Sequence, residues 1–215
     1  MTPNEGWTIT TAGGPPAVVI VHPSFGVTSF KEFVAVARNS KEPISYISPG
    51  TGSNGFLVAE YLAREQGYRI THIPYKGAGP ALTDLIAGHV KLGTITFSSA
   101  AEQIRAGNVR ALAVTSERRI PDFPEIPTLK ELGIDLVAAT WFGLSGPPRL
   151  PNDIVRAVSR ETFKAMQSPD VQKRLALDAI ETRLMSPEEF TKFVEDEIGR
   201  WGPLAKSFSA SIDKQ

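Results

Sequence analysis

The chain is 215 residues long, 41% hydrophobic, and balances 23 basic against 23 acidic side chains with no cysteine. That composition excludes disordered, collagen-like and disulfide-stapled classes, and the absence of thiols excludes thiolate catalysis, Cys-type zinc sites and iron–sulfur ligation. Zero net charge without a lysine-arginine cluster leaves no field to draw in nucleic acid or an anionic membrane.

The length allows one large or two small domains. The first residues, Met1 to Trp7, carry neither a basic stretch nor an apolar one, and the longest apolar run, Ala17 to Val21, is far too short to span a bilayer. The chain as written therefore reads as soluble and without an export signal.

Glycine and proline divide it into short alternating units. Ala17 to Val21 reads as a strand that stops at His22-Pro23, because the proline ring restricts the residue before it. Phe30, Phe33, Val34 and Ala37 recur at helical spacing behind Thr28-Ser29, a candidate N-cap. A strand over Ile44 to Ser48 follows, then a glycine loop, then a helix with Leu57, Val58, Tyr61 and Leu62 on one face. Arg69 to Pro74 reads as strand, Pro80 to Ala87 as helix, Val90 to Phe97 as strand, Ala100 to Arg105 as helix and Arg110 to Thr115 as strand. This alternation predicts a parallel sheet covered by helices.

Beyond residue 115, Pro121, Pro124 and Pro127 break the chain into extended pieces before a short helix expected at Thr128 and a strand over Ala138 to Leu144. The rest reads as helix: Asn152 to Gln167, a segment opened by Ser168-Pro-Asp, and a last helix opened by Ser186-Pro-Glu-Glu189. That tetrad is a capping box with proline at the first helical position. Phe190, Val194, Ile198 and Trp201 are expected on the docking face of the last helix.

Gly50-Thr-Gly-Ser-Asn-Gly55 lies between a strand and a helix and matches the dinucleotide fingerprint in letters and in context. A nicotinamide cofactor also needs an acid at the end of the next strand, and Arg69-Ile-Thr-His-Ile-Pro74 with Tyr75-Lys76 supplies none. What remains is a cluster of backbone N–H groups at a positive helix end, flanked by the hydroxyls of Ser48, Thr51 and Ser53: a generic anion cradle, or simply a tight turn. Pro74-Tyr-Lys-Gly-Ala-Gly-Pro80 repeats the pattern, with Lys76 its only cation, and a third strand exit, Thr94 to Ser99, adds hydroxyls without charge. Loops at the carboxyl ends of successive parallel strands point into one crevice, where open α/β sheets bind ligands. There is no Gly-x-Ser-x-Gly elbow, His-Glu-x-x-His or Walker loop, and His22, His72 and His89 have no metal-ligand spacing. No cofactor, metal or catalytic residue is expected.

Several stretches together identify a family. Tyr46 to Ser53, His72 to Leu85 (His-Ile-Pro-Tyr-Lys-Gly-Ala-Gly-Pro-Ala-Leu-Thr-Asp-Leu), Ile104 to Ser116, Thr140-Trp-Phe-Gly-Leu144, Pro187 to Phe190 and Trp201 resemble the substrate-binding proteins of tripartite tricarboxylate transporters, the Bug family. The resemblance implies an α/β, type 2 periplasmic-binding fold with two lobes of parallel-type sheets covered by helices, closing over a small carboxylate that is handed to membrane transporter subunits. It makes Ala17 to Val21 and Ala138 to Leu144 crossing strands, with residues 1–21 and 139–215 in one lobe and residues 22–138 in the other. Ser48, Gly50, Gly52 and Ser53 match the first ligand loop and Tyr75, Lys76, Gly77 and Pro80 the second; Thr51, Ala78, Gly79 and Thr96 complete the expected ligand-binding set.

The sequence departs from the family at Ile95-Thr96, where many members carry an aspartate, and at Phe56, where a histidine is common. Both bear on ligand preference. Met1 also falls where such proteins are about a third of the way along, which implies an incomplete first lobe, a possible homodimer through it, and weak carboxylate affinity for the monomer. The family location is periplasmic; the location would be cytoplasmic if Met1 were the natural start. The alternatives are a ligand-sensing domain on the same fold and an oxidoreductase fragment using the Gly50 loop.

Overall fold

The computed structural model describes residues 8–212 except 148, 178 and 181. The chain forms two compact units, Met1–Pro15 with Thr140–Gln215 and Pro16–Ala139.

The unit Pro16–Ala139 is built on a five-stranded sheet of order β4-β3-β5-β2-β6. Its elements are β2 (Ala17–Val21), α1 (Phe30–Arg38), β3 (Ile44–Ser48), α2 (Asn54–Gln66), β4 (Ile70–Pro74), α3 (Ala78–Ile86), β5 (Leu92–Thr96), α4 (Phe97–Arg105) and β6 (Arg110–Val114). β3 runs parallel to both β4 and β5. The expected strand at Ala17 is present, and it runs antiparallel to both of its neighbours, β5 and β6. All five of its residues are buried, as its uninterrupted Val-Val-Ile-Val run requires of a strand covered on both faces. With its hydrogen bonds on both edges made inside this sheet, β2 belongs to the unit Pro16–Ala139.

Local signals place the helices. Ser29 caps α1 by accepting the Glu32 amide, while the Glu32 carboxylate accepts the amide and hydroxyl of Thr28. Ser53 does the same for α2 through the Phe56 amide, and Gly67, in the left-handed region at φ 67°, ends it. The buried face of α2 is Phe56, Val58, Ala59, Leu62 and Ala63, so the seam is turned from the expected one and Leu57 and Tyr61 sit at its margin. α3 and α4 begin earlier than their periodicity suggests, at Ala78 and directly at the end of β5.

The helix expected at Thr128 is a single turn. Its start signal is real, since the Glu131 amide donates to Thr128 Oγ1 and Glu131 Oε2 accepts the Thr128 amide. Gly133, at φ 81°, stops it at once, and Leu129 is held on the edge of β6 by its amide bond to the Val114 carbonyl.

The other unit pairs β1 (Thr8–Gly13) with β7 (Phe142–Ser145), antiparallel, and adds α5 (Asn152–Met166), α6 (Pro169–Leu177) and α7 (Pro187–Ile212). The strand expected over Ala138 to Leu144 is a bridge at Ala139 followed by β7. The capping box forms as read: the Ser186 amide donates to Glu189 and the Glu189 amide to the Ser186 hydroxyl. Phe190 is 1% exposed and meets the Trp141 ring edge-on at 5.7 Å. Ile198, expected beside it, is 51% exposed, because the docked stripe is carried by Phe190 and Phe193, both against Trp141.

Candidate functional site

Parallel pairing in register, from Ile44 opposite Ile70 to Ser48 opposite Pro74, brings the carboxyl ends of β3 and β4 to one edge of the sheet. β5 runs alongside β3 in the same direction. Each strand leads into a helix within a few residues, so the N-termini of α2, α3 and α4 gather at this edge with their positive dipole ends.

The two glycine loops are one structure. The Gly77 amide donates to the Pro49 carbonyl at 2.8 Å. Gly50 packs under the second loop as well: a Cβ there would lie 3.2 Å from the Tyr75 carbonyl, and its φ of 147° favours glycine. The third strand exit joins through Gly55, whose absent Cβ would fall 2.1 Å from the Thr94 carbonyl. The first turn of α2 therefore rests directly on the backbone of β5.

Among the residues of the first loop, Thr51 and Gly52 are exposed, and their amides enter no hydrogen bond among the described residues. Ser53 is occupied as the cap of α2. In the second loop Gly77, at φ 113°, is the N-cap of α3 and brings no side-chain cap, so the amides of Ala78 and Gly79 point from an uncapped helix end. Pro80 fits this turn without loss, since its missing N–H would have had no intrahelical partner. Lys76 is exposed and makes no ion pair among the described residues. Thr96 is the N-cap of α4 without a side-chain bond; the first amide of that helix, Phe97 N, is taken by the Pro16 carbonyl.

Ser48 differs from its neighbours. It is fully buried, and its hydroxyl lies 2.7 Å from His72 Nε2 while accepting the Gly50 amide at 3.2 Å. It supports the first loop from beneath, where sequence reasoning set it among the groups facing a ligand.

Two residues outside the expected ligand-binding set brace the loops. His72 lies against the rings of Tyr46 and Phe56, tilted to them at 34° and 59° with centroids 4.9 and 4.8 Å away, and burial lowers its pKa from 6.5 to about 4, so the imidazole is neutral. Asp84 accepts the Tyr75 hydroxyl, and His89 Nδ1 lies 3.5 Å away on its other oxygen. The hydrogen bond from Tyr75, then that from His89, holds the Asp84 carboxyl below its ordinary range, and the same contact raises Tyr75. The sequence signal for His72 was its place two residues before Pro74: parallel register carries position 72 opposite 46 and onto the face of Ser48.

A second concavity, about 450 Å³, lies in the other unit between α5 and the start of α7, lined by Arg156, Ser159, Phe163, Lys164 and Glu188 among others. The helix start that lines it, that of α7, is already satisfied by Ser186 and Glu189. Among the described residues no cluster of His, Asp and Glu has the arrangement of a metal site, and no helix is long and apolar enough to cross a membrane.

Comparison with known proteins gives one consistent result. Residues 7–209 match the family described as tripartite tricarboxylate transporter family receptor. The protein BugT of Bordetella pertussis is 30% identical over 205 residues, covering 95% of this chain and 63% of that protein, so the chain spans less than two thirds of this curated relative. The R. palustris protein solved with adipate superposes at TM-score 0.85 and 31% identity, over 93% of this chain and 68% of the other. The periplasmic binding protein BugD superposes at TM-score 0.82 and 27% identity, again over 93% and 68%. The mixed α/β architecture, a five-stranded sheet covered by helices, is that of these periplasmic-binding-type structures.

Proposed function

Because this chain belongs to the tripartite tricarboxylate transporter receptor family, we propose that it is a periplasmic solute-binding protein that captures a small carboxylate on the loops after β3, β4 and β5 and passes it to the transporter's membrane subunits. The observation that carries this reading is the bond from Gly77 N to Pro49 O, which joins the loop before α2 and the uncapped start of α3 into one cradle of N–H donors. Thr51, Gly52, Ala78, Gly79 and the Thr96 hydroxyl are its donors, Lys76 adds a positive charge at the rim, and Ser48 and Ser53 hold the backbone in place. Such a cradle stabilises an anion without titrating, which suits reversible capture. Adipate bound to the similar R. palustris protein supports a carboxylate of this class. The receptor identity of the family and the burial of Ser48 favour binding without catalysis.

The dinucleotide reading is weaker, because β4 ends at Pro74 with no carboxylate to hold ribose hydroxyls. The two readings separate in one experiment. Thermal unfolding is followed with acetate, adipate, citrate and NAD in turn, with solution mass measured on the same sample to detect association of two copies. A ligand at 100 times its Kd adds about 2.7 kcal/mol of stability. A rise in Tm with a carboxylate alone supports capture, and a rise with NAD alone overturns it.

A further inference from the structure

We propose that His72 is a positioning residue for the anion cradle: it accepts the Ser48 hydroxyl proton, which leaves Ser48 Oγ as the acceptor that holds the Gly50 amide and so fixes the course of the first loop. The inference rests on the carboxylate-binding reading for its functional consequence, though not for its geometry.

The Ser48 hydroxyl has one proton and two acceptors in reach, His72 Nε2 at 2.7 Å and the Gly50 carbonyl at 3.1 Å. The imidazole contact is the shorter, and the Gly50 carbonyl already accepts the Ser53 amide at 3.1 Å. Oriented toward His72, the hydroxyl turns its lone pairs to the Gly50 amide, 3.2 Å away. Gly50 is the residue whose φ of 147° bends the loop against the Tyr75 carbonyl, so a hydroxyl that turned away would release the bend at its sharpest point.

The surroundings of His72 favour the acceptor role. Tyr46 of β3 and Phe56 of α2 pack against the ring, and neither carries charge. Glu60 of α2 is engaged by the Tyr46 hydroxyl at 2.7 Å and is itself held above the usual carboxylate range by burial. Burial alone sets the imidazole neutral, with no charged partner assisting. Protonation would convert Nε2 into a donor and drive the Ser48 proton onto the Gly50 carbonyl.

The test compares the wild-type chain with His72→Phe, which keeps an aromatic ring there but has no acceptor, and His72→Gln, whose amide oxygen restores one; Ser48→Ala is the reference for loss of the pair. The readouts are the imidazole ¹⁵N shifts, hydrogen exchange at the Gly50 amide, and adipate titration followed by NMR. A bare Nε2 is expected, with Gly50 protected in wild type and His72→Gln and unprotected in His72→Phe and Ser48→Ala. Adipate affinity is expected to fall about fivefold in the last two variants, the equivalent of one net hydrogen bond. A protonated Nε2 at pH 7, or Gly50 protection unchanged in His72→Phe, overturns the inference. If Gly50 responds as stated while no variant, wild type included, takes adipate, the role of His72 in the loop stands and the carboxylate assignment fails.

Discussion

The amide of Gly77 donates to the carbonyl of Pro49 across 2.8 Å, and this bond makes one site of two loops that lie almost thirty residues apart in the chain. Gly77 can make it because it adopts φ 113°, a region where a Cβ is strained.

Gly77→Ala keeps the donor and meets no neighbour within 4 Å, so only the backbone strain remains. Stability is expected to drop by about 1–2 kcal/mol, read as a lower denaturant midpoint at constant m. Gly77→Pro also removes the N–H and is expected to cost about 3 kcal/mol or more. If the two variants are equally stable, the bond to Pro49 contributes nothing.

Gly55 and Gly79 are both helical and predict opposite signs. A methyl at Gly55 would meet the Thr94 carbonyl at 2.1 Å, backbone that has no room to yield, and Gly55→Ala is expected to destabilise by roughly 1–3 kcal/mol. A methyl at Gly79 meets nothing within 4 Å. Gly79→Ala should therefore stabilise by about 0.5–1 kcal/mol through helix propensity. A simultaneous loss of adipate binding in that stabilised variant would locate the ligand over the first turn of α3.

Tyr75→Phe removes the hydroxyl that Asp84 accepts while leaving the ring in place. Adipate affinity is expected to fall severalfold with little change in Tm, because the bond braces an exposed loop. The Asp84 carboxyl should titrate closer to its ordinary value in this variant, visible in its ¹³C shift, since Tyr75 is the larger cause of its lowered pKa. An unchanged Asp84 titration would show that His89 suffices.

Acid should weaken the fold in a defined window. His72 is ordinarily half-protonated at 6.5 and in the folded chain at about 4. Between those values the unfolded state binds more protons, so this residue's contribution to stability is complete above pH 6.5 and is lost progressively as the pH falls toward 4. Glu60, whose pKa is raised by burial, acts in the opposite sense and favours the fold at lower pH. Comparing denaturant stability at pH 7 and pH 5, the decline should be smaller in His72→Phe than in the wild-type chain; equal declines would remove His72 as the cause.

Most of this chain's local structure was legible in its sequence. The caps at Ser29 and Ser186 and the strand at Ala17 each depend on residues within a few positions of one another, where propensity and side-chain hydrogen bonds decide the backbone, whereas the capping role of Ser53 was not read from the sequence. The family resemblance followed from the same short stretches. What the tertiary structure alone decided are the relations between distant segments. β2 is antiparallel within the sheet because its pairing with β5 and β6 sets its direction, and the Thr115 hydroxyl accepts the Ala17 amide across 98 positions. The buried seam of α2 was set by Gly55 resting on Thr94. His72 came beneath the first loop only through the register of β3 on β4, and Pro49 met Gly77 only when both strands ended at one edge. The physical reason is range: caps and turns are fixed by neighbours along the chain, whereas register and helix rotation are fixed by which surfaces the folded core brings into contact.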